Sequence, residues 1–65
     1  MIITIGKAHD NDYVADDPQV SRHHARLVSE SDGGWIIEDL ASTNGTFVND
    51  IQVIRKRVTK SDQIR

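Results

Sequence analysis

Apolar residues along this chain come in short runs broken by polar turns, and no window sustains the spacing of an amphipathic helix. Met1 to Ile5 is an apolar, β-branched run that ends at Gly6. From Ala8 to Pro18 the sequence turns polar and acidic, with Asp10, Asp12, Asp16 and Asp17 around Tyr13-Val14, a segment with the character of a brief strand. Pro18 pushes Asp17 toward extended backbone, so no helix is expected here. His24 to Ser29 reads as a strand, with Ala25 and Leu27 on one face. Ser31-Asp32-Gly33-Gly34 is a turn signal, and Trp35-Ile36-Ile37 opens the partner strand of a hairpin. Asn44-Gly45 marks another turn before Thr46-Phe47-Val48, and Asn49-Asp50 turns into Ile51-Gln52-Val53. Ile54 to Arg65 sets Val58 and Ile64 among charges, which predicts one weak strand and the start of another. Short strands at close spacing predict an all-β sandwich or barrel.

Composition narrows the picture. At 65 residues the chain is at most one small domain, residues 1–65. Such a domain buries only about 60% of its unfolded surface. It has no cysteine, so neither a disulfide nor a thiolate metal site can staple it. One Trp, one Tyr and one Phe leave the core to Ile, Val and Leu. The net charge of −2 argues against a nucleic-acid partner, because such domains are usually basic. No apolar run has membrane-spanning length, and the N-terminus lacks the basic and apolar regions of a signal peptide. The expectation is a cytoplasmic protein with no membrane partner.

Chemistry concentrates in Ser21-Arg22-His23-His24 and Ser42-Thr43-Asn44-Gly45-Thr46. Each sits just outside a β-like run and carries small hydrogen-bonding side chains, and the first adds a cation. That suits an anion such as phosphate, with roughly −1.5 to −2 charge and three acceptor oxygens on a phosphorylated residue. Each also has a plainer reading. Ser21, Ser42 and Thr43 favour turns in any protein, and Asn44-Gly45 is a common hairpin dipeptide. Asn44-Gly45-Thr46 matches a glycosylation sequon, but no secretory signal accompanies it.

Catalytic and metal chemistry find little support. His23 and His24, as consecutive strand residues, point to opposite faces and do not readily share an ion. The aspartates from Asp10 to Asp17 lack the central Gly and terminal Glu of a calcium loop. Ser21 and His24 lack an orienting acid, and Gly6-Lys7 lacks the rest of a P-loop. No enzyme activity, cofactor or metal is expected. Arg55-Lys56-Arg57 reads as a solvated strand end rather than a nucleic-acid patch, since no aromatics interleave it.

Taken together, Ile5-Gly6-Lys7, Asn11-Asp12, Asp16-Asp17-Pro18, Val20 to Ala25, Trp35, Asp39-Leu40, Ser42 to Asn49 and Asp62-Gln63-Ile64 resemble a forkhead-associated (FHA) domain. The resemblance implies a β-sandwich of short, mainly antiparallel strands that recognises phosphothreonine in a partner protein through loops at one end. It assigns phosphate contacts to Lys7 and Ser21, with Arg22 beside them as a second cation or a peptide contact. Thr43 would help hold the phosphothreonine, and the Asn44 amide would bond the peptide main chain. Gly6, His24, Gly45 and Asn49 would support the site.

Two departures follow from the same resemblance. Lys7 stands where the family usually has arginine, which keeps open a phosphate-independent interaction (scaffold) domain as the alternative. The family's last strands are expected to pair with the first one, and here the chain stops at Arg65. The expectation is therefore a C-terminally incomplete domain with an open first-strand edge, prone to self-association.

Overall fold

The computed structural model describes residues 1–59 and Asp62, and every structural statement below concerns these residues. They form seven strands: β1 (Ile2–Gly6), β2 (Tyr13–Val14), β3 (Ala25–Ser29), β4 (Trp35–Asp39), β5 (Thr46–Val48), β6 (Ile51–Val53) and β7 (Arg55–Val58). The described residues contain no helix, hence none long and apolar enough to cross a membrane. β2-β1-β3-β4-β7 form one sheet, and β5-β6 form a second, two-stranded one. All pairings are antiparallel except β1 with β2.

Register explains the core. Ile3, Leu27 and Ile37 lie opposite one another across three strands, as do Ile5 and Ala25 in the next row. Alternate residues of a strand share a face, so these rows make one apolar face. Thr46 and Val48 of β5 are buried against it, and Ala25, Ile37, Val48 and Val58 are the buried apolar centre. On the outer face, Glu38 pairs with Arg26 at 2.8 Å and with Arg55 at 3.4 Å. Such half-exposed pairs contribute about 0–1 kcal/mol each and mainly solvate the face.

The sequence-predicted strands are present, including Tyr13-Val14 and the β3–β4 hairpin. The predicted start of a strand at Ile64 lies outside the described residues. One expectation needs correction. β1 is not the edge of its sheet, because β2 pairs with it at Ile5 and Gly6. Farther along, the Asp12 carboxylate accepts the Thr4 N–H at 2.9 Å, which caps the edge where pairing stops. β2 and the Asp12 cap thus cover the edge from Thr4 to Gly6, while Ile2 and Ile3 have no strand beside them on that side among the described residues. On the inner sheet face, half-buried Ile3, Leu27 and Trp35 and buried Val58 line an apolar cleft.

The β5–β6 turn is a two-residue one, with Asn49 and Asp50 both at positive φ (51° and 67°). That is the backbone twist tight hairpins favour, and Asn and Asp tolerate it better than most residues.

Candidate functional site

Three loops meet at one end of the sheet, residues 7–12, 15–24 and 40–45. Backbone bonds join the first two, with Lys7 N–H donating to the Ser21 carbonyl at 3.0 Å and Ala8 N–H to Arg22 at 3.1 Å. Asn11 reinforces this seam, since its buried Nδ2 donates to the Ala8 carbonyl at 2.7 Å and to Arg22 at 2.8 Å. The approach is so close that a Cβ on Gly6 would sit 2.1 Å from the Arg22 carbonyl oxygen. Position 6 therefore has room only for glycine.

His24 ties the second loop to the third. Its Nδ1 accepts the Ser21 N–H at 3.1 Å, and its Nε2 lies 2.8 Å from the Gly45 carbonyl. An N–H can only donate and a carbonyl only accept, so the ring is neutral with its proton on Nε2. Gly45, at φ 89°, presents that carbonyl from a backbone conformation that disfavours a side chain.

Asp39 at the end of β4 organises the third loop. Its carboxylate accepts the Ser42 N–H, the Ser42 hydroxyl and, at 2.7 Å, the Thr46 hydroxyl. Burial pushes this carboxyl up, but those three bonds outweigh burial and hold it below the usual carboxylate range. Ser42 Oγ in turn accepts the Gly45 N–H at 3.1 Å.

On this frame the residues assigned to the ligand come together. Ser21 Oγ accepts the Thr43 N–H at 2.9 Å, so the oxygen is oriented while its own proton stays available to a ligand. Asn44 Nδ2 donates to the Gln19 carbonyl at 2.7 Å, keeping a second N–H and the amide oxygen for a peptide. Lys7 and Arg22 are exposed, and neither enters any ion pair among the described residues. Asn49 stands apart, at the other end of β5, where its amide donates to Asp62 at 2.8 Å.

Neighbouring chemistry is engaged elsewhere. His23 Nε2 meets both Asp10 carboxylate oxygens at 3.1 Å, and that hydrogen bond is the main cause holding the Asp10 carboxyl below its usual value. In the basic cluster of β7, Arg57 pairs with Asp32 at 2.7 Å, and Arg55 with Glu38 as above. Asn11, Asp39 and Ser42 carry structural roles that the sequence did not assign. Asn11 and Asp39 lie within motifs that were noticed, but nothing local says which loop each one grips.

Comparison with known proteins settles the family. The FHA domain profile matches residues 3–65. The chain belongs to the FHA domain family. It is 47% identical over 58 residues to the transcriptional regulatory protein EmbR of Mycobacterium tuberculosis, a match spanning 89% of this chain and 14% of EmbR. The solved structure of EmbR in complex with a low-affinity phosphopeptide superposes with a TM-score of 0.89 at 38% identity, covering 98% of this chain and 17% of that one. The FhaA FHA domain complexed with the intracellular domain of Rv3910 gives 0.91 at 33% identity, covering 98% of this chain and 69% of that one.

What these loops offer a ligand is a set of hydrogen-bonding groups held in fixed relation. Both ring nitrogens of His24 are taken by backbone groups, so the imidazole is not positioned to accept the Ser21 hydroxyl proton. Among the described residues no three His, Asp or Glu side chains gather where they could hold a metal ion.

Proposed function

We propose that this FHA domain is a non-catalytic phosphopeptide-binding module that recognises phosphothreonine in a partner protein. The observation that carries the reading is the arrangement around Ser21. Its hydroxyl oxygen is fixed by the Thr43 N–H, its backbone by His24 and Lys7, and the adjoining residues Lys7 and Arg22 are exposed cations that enter no ion pair among the described residues. In this reading Lys7 and the Ser21 hydroxyl hold the phosphate, and Arg22 adds charge or a peptide contact. Thr43 lies against the phosphothreonine, and Asn44 bonds the peptide main chain. The phosphopeptide bound by EmbR and the protein domain bound by FhaA support the same use of the fold.

Titration of one threonine peptide in phosphorylated and unphosphorylated forms tests this. Binding of the phosphorylated form alone is expected, and equal binding of both would leave the phosphate-independent scaffold as the function. Phosphoserine should bind roughly fivefold more weakly, the worth of about one buried methyl.

A further inference from the structure

The most reactive backbone junction at the binding end is Asn44-Gly45. An asparagine followed by glycine is the pair whose backbone nitrogen reaches the side-chain carbonyl carbon with least obstruction, because the second residue has no Cβ. Asn44 is exposed, and Gly45 sits at φ 89°. Both reacting groups are nevertheless held. The Gly45 N–H donates to Ser42 Oγ at 3.1 Å, the Asn44 Nδ2 donates to the Gln19 carbonyl at 2.7 Å, and Ser42 itself is anchored on Asp39.

We infer that Asn44-Gly45 is a self-modification site that turns phosphopeptide binding off irreversibly, at a rate set by the Ser42–Asp39 brace. The inference rests on the phosphopeptide reading of these loops. In the reaction the Gly45 nitrogen attacks Asn44 Cγ and forms a new N–Cγ bond. The Cγ–Nδ2 bond breaks, and Nδ2 leaves as ammonia with the Gly45 proton. Solvent water then opens the cyclic imide at either carbonyl, leaving aspartate or isoaspartate at position 44. No oxidant or cofactor takes part.

The product conflicts with the site in three ways. A carboxylate has no N–H for the Gln19 carbonyl, so two acceptors face each other. Its negative charge lies beside the place where a phosphate binds. Isoaspartate also lengthens the backbone between Thr43 and Gly45, whose N–H and carbonyl are the anchors to Ser21 and His24. A bound peptide that engages the Asn44 amide should slow the conversion.

The test incubates the full chain at mildly alkaline pH and maps the products by peptide mass and isoaspartate content. Conversion should appear at Asn44 ahead of Asn11 and Asn49, which both precede aspartate rather than glycine. The converted fraction, separated by its extra negative charge, should bind a phosphothreonine peptide roughly tenfold more weakly or worse. Ser42→Ala should convert several-fold faster while circular dichroism still shows a folded domain. Wild type in denaturant supplies the unrestrained rate, so the restraint can be judged even where that variant unfolds. Position 44 remaining intact while Asn11 or Asn49 converts would overturn the inference, as would equal native and denatured rates, or unchanged binding by the converted fraction. If the fresh domain ignores phosphopeptide but position 44 converts, it is the binding reading that fails.

Discussion

The two ends of the main sheet are built from similar residues held in different ways. At the far end, Ser31 to Gly34 closes on itself: Gly34 N–H donates to Asp32 Oδ1 at 3.0 Å and Gly33 N–H to the Glu30 carbonyl at 3.1 Å. At the binding end, the bonds that matter join residues distant in sequence, as Ser21 to Thr43, Gln19 to Asn44, and His24 to Gly45. Local closure makes a turn built mainly from its own residues, which Arg57 of β7 joins through an exposed pair with Asp32. Long-range closure makes a surface to which three loops contribute, and there a buried brace and an exposed contact can be neighbours. Function sits at the second kind of end because only there can donors from separate segments be held in fixed relation.

Glycine substitution should break this contrast most sharply. At Gly33, φ is 88° and nothing lies within 4 Å of an added Cβ, so Gly33→Ala should cost only backbone strain, about 1 kcal/mol. Gly6→Ala must displace the Arg22 carbonyl and the loop behind it, and is expected to cost about 3 kcal/mol or more. Thermal unfolding of both variants checks the ranking. Similar losses would mean the loop seam is soft and the two ends differ less than their bonds suggest.

His24→Ala comes next. It strands the Ser21 N–H and the Gly45 carbonyl and leaves a hole, for a loss of about 2–4 kcal/mol. Ser21→Ala and Asn44→Ala should leave the unfolding temperature nearly unchanged, since their partners can turn to water. Ser21→Ala should nevertheless weaken phosphopeptide binding by about 1.5–3 kcal/mol, as for a bond to a charged group, and Asn44→Ala by about 0.5–1.5 kcal/mol, as for a bond to the peptide main chain. Calorimetric titration beside thermal unfolding separates the classes. Equal destabilisation by all three would erase the division between brace and contact.

Much of this was legible in sequence because it is local. The β3–β4 hairpin follows from alternation around Ser31-Asp32-Gly33-Gly34, and the Asn49-Asp50 turn from its residue types. The family's spacing also placed Lys7, Ser21, Arg22, Thr43 and Asn44, which the fold gathers at one end. What escaped is pairing at a distance. Tyr13-Val14 is too short to announce which strand it joins, so its parallel pairing with β1 at Ile5 and Gly6 was not anticipated. Asn11 and Asp39 look like ordinary polar loop residues until the Arg22 carbonyl and the Ser42 and Thr46 hydroxyls are seen against them. Asn49, read as support for the site, lies at the other end of β5, where its amide donates to Asp62, a partner its local sequence does not announce.

Acid should act on the same contrast. The Asp39 carboxyl is held below its usual range in the fold, so the unfolded chain binds its proton more readily. The stability it contributes is present above the unfolded value near 3.9, and is lost as pH falls through the folded value. Asp39→Asn should cost about 1–2 kcal/mol at neutral pH, because an amide cannot accept all three donors. It should also flatten the acid limb of the stability curve. Asp32, whose carboxyl is lowered chiefly by the Gly34 N–H and then by Arg57, is exposed at the far end, and Asp32→Asn should change that limb much less. Acid titrations of wild type and both variants, followed by circular dichroism, test the difference.

The smallest expected effect concerns which cation meets the phosphate, and it would sharpen the division among contacts. Lys7 directly follows the glycine that presses on the Arg22 carbonyl, and its own N–H is fixed to Ser21, so its backbone position is set from both sides. Arg22 stands in the adjoining loop, where its charge also acts on Asp10, beside the His23 that pairs with it. A lysine ammonium neutralises charge but cannot hold two oxygens in a planar fork. Lys7→Arg should therefore preserve binding or strengthen it by no more than about 1 kcal/mol, with no change in stability. Lys7→Ala should weaken binding, and that loss should shrink as added salt shortens the screening length from about 10 Å at 0.1 M. If Lys7→Ala binds like the parent and Arg22→Ala does not, the phosphate cation belongs to the second loop. Lys7 would then be part of the scaffold only through its backbone.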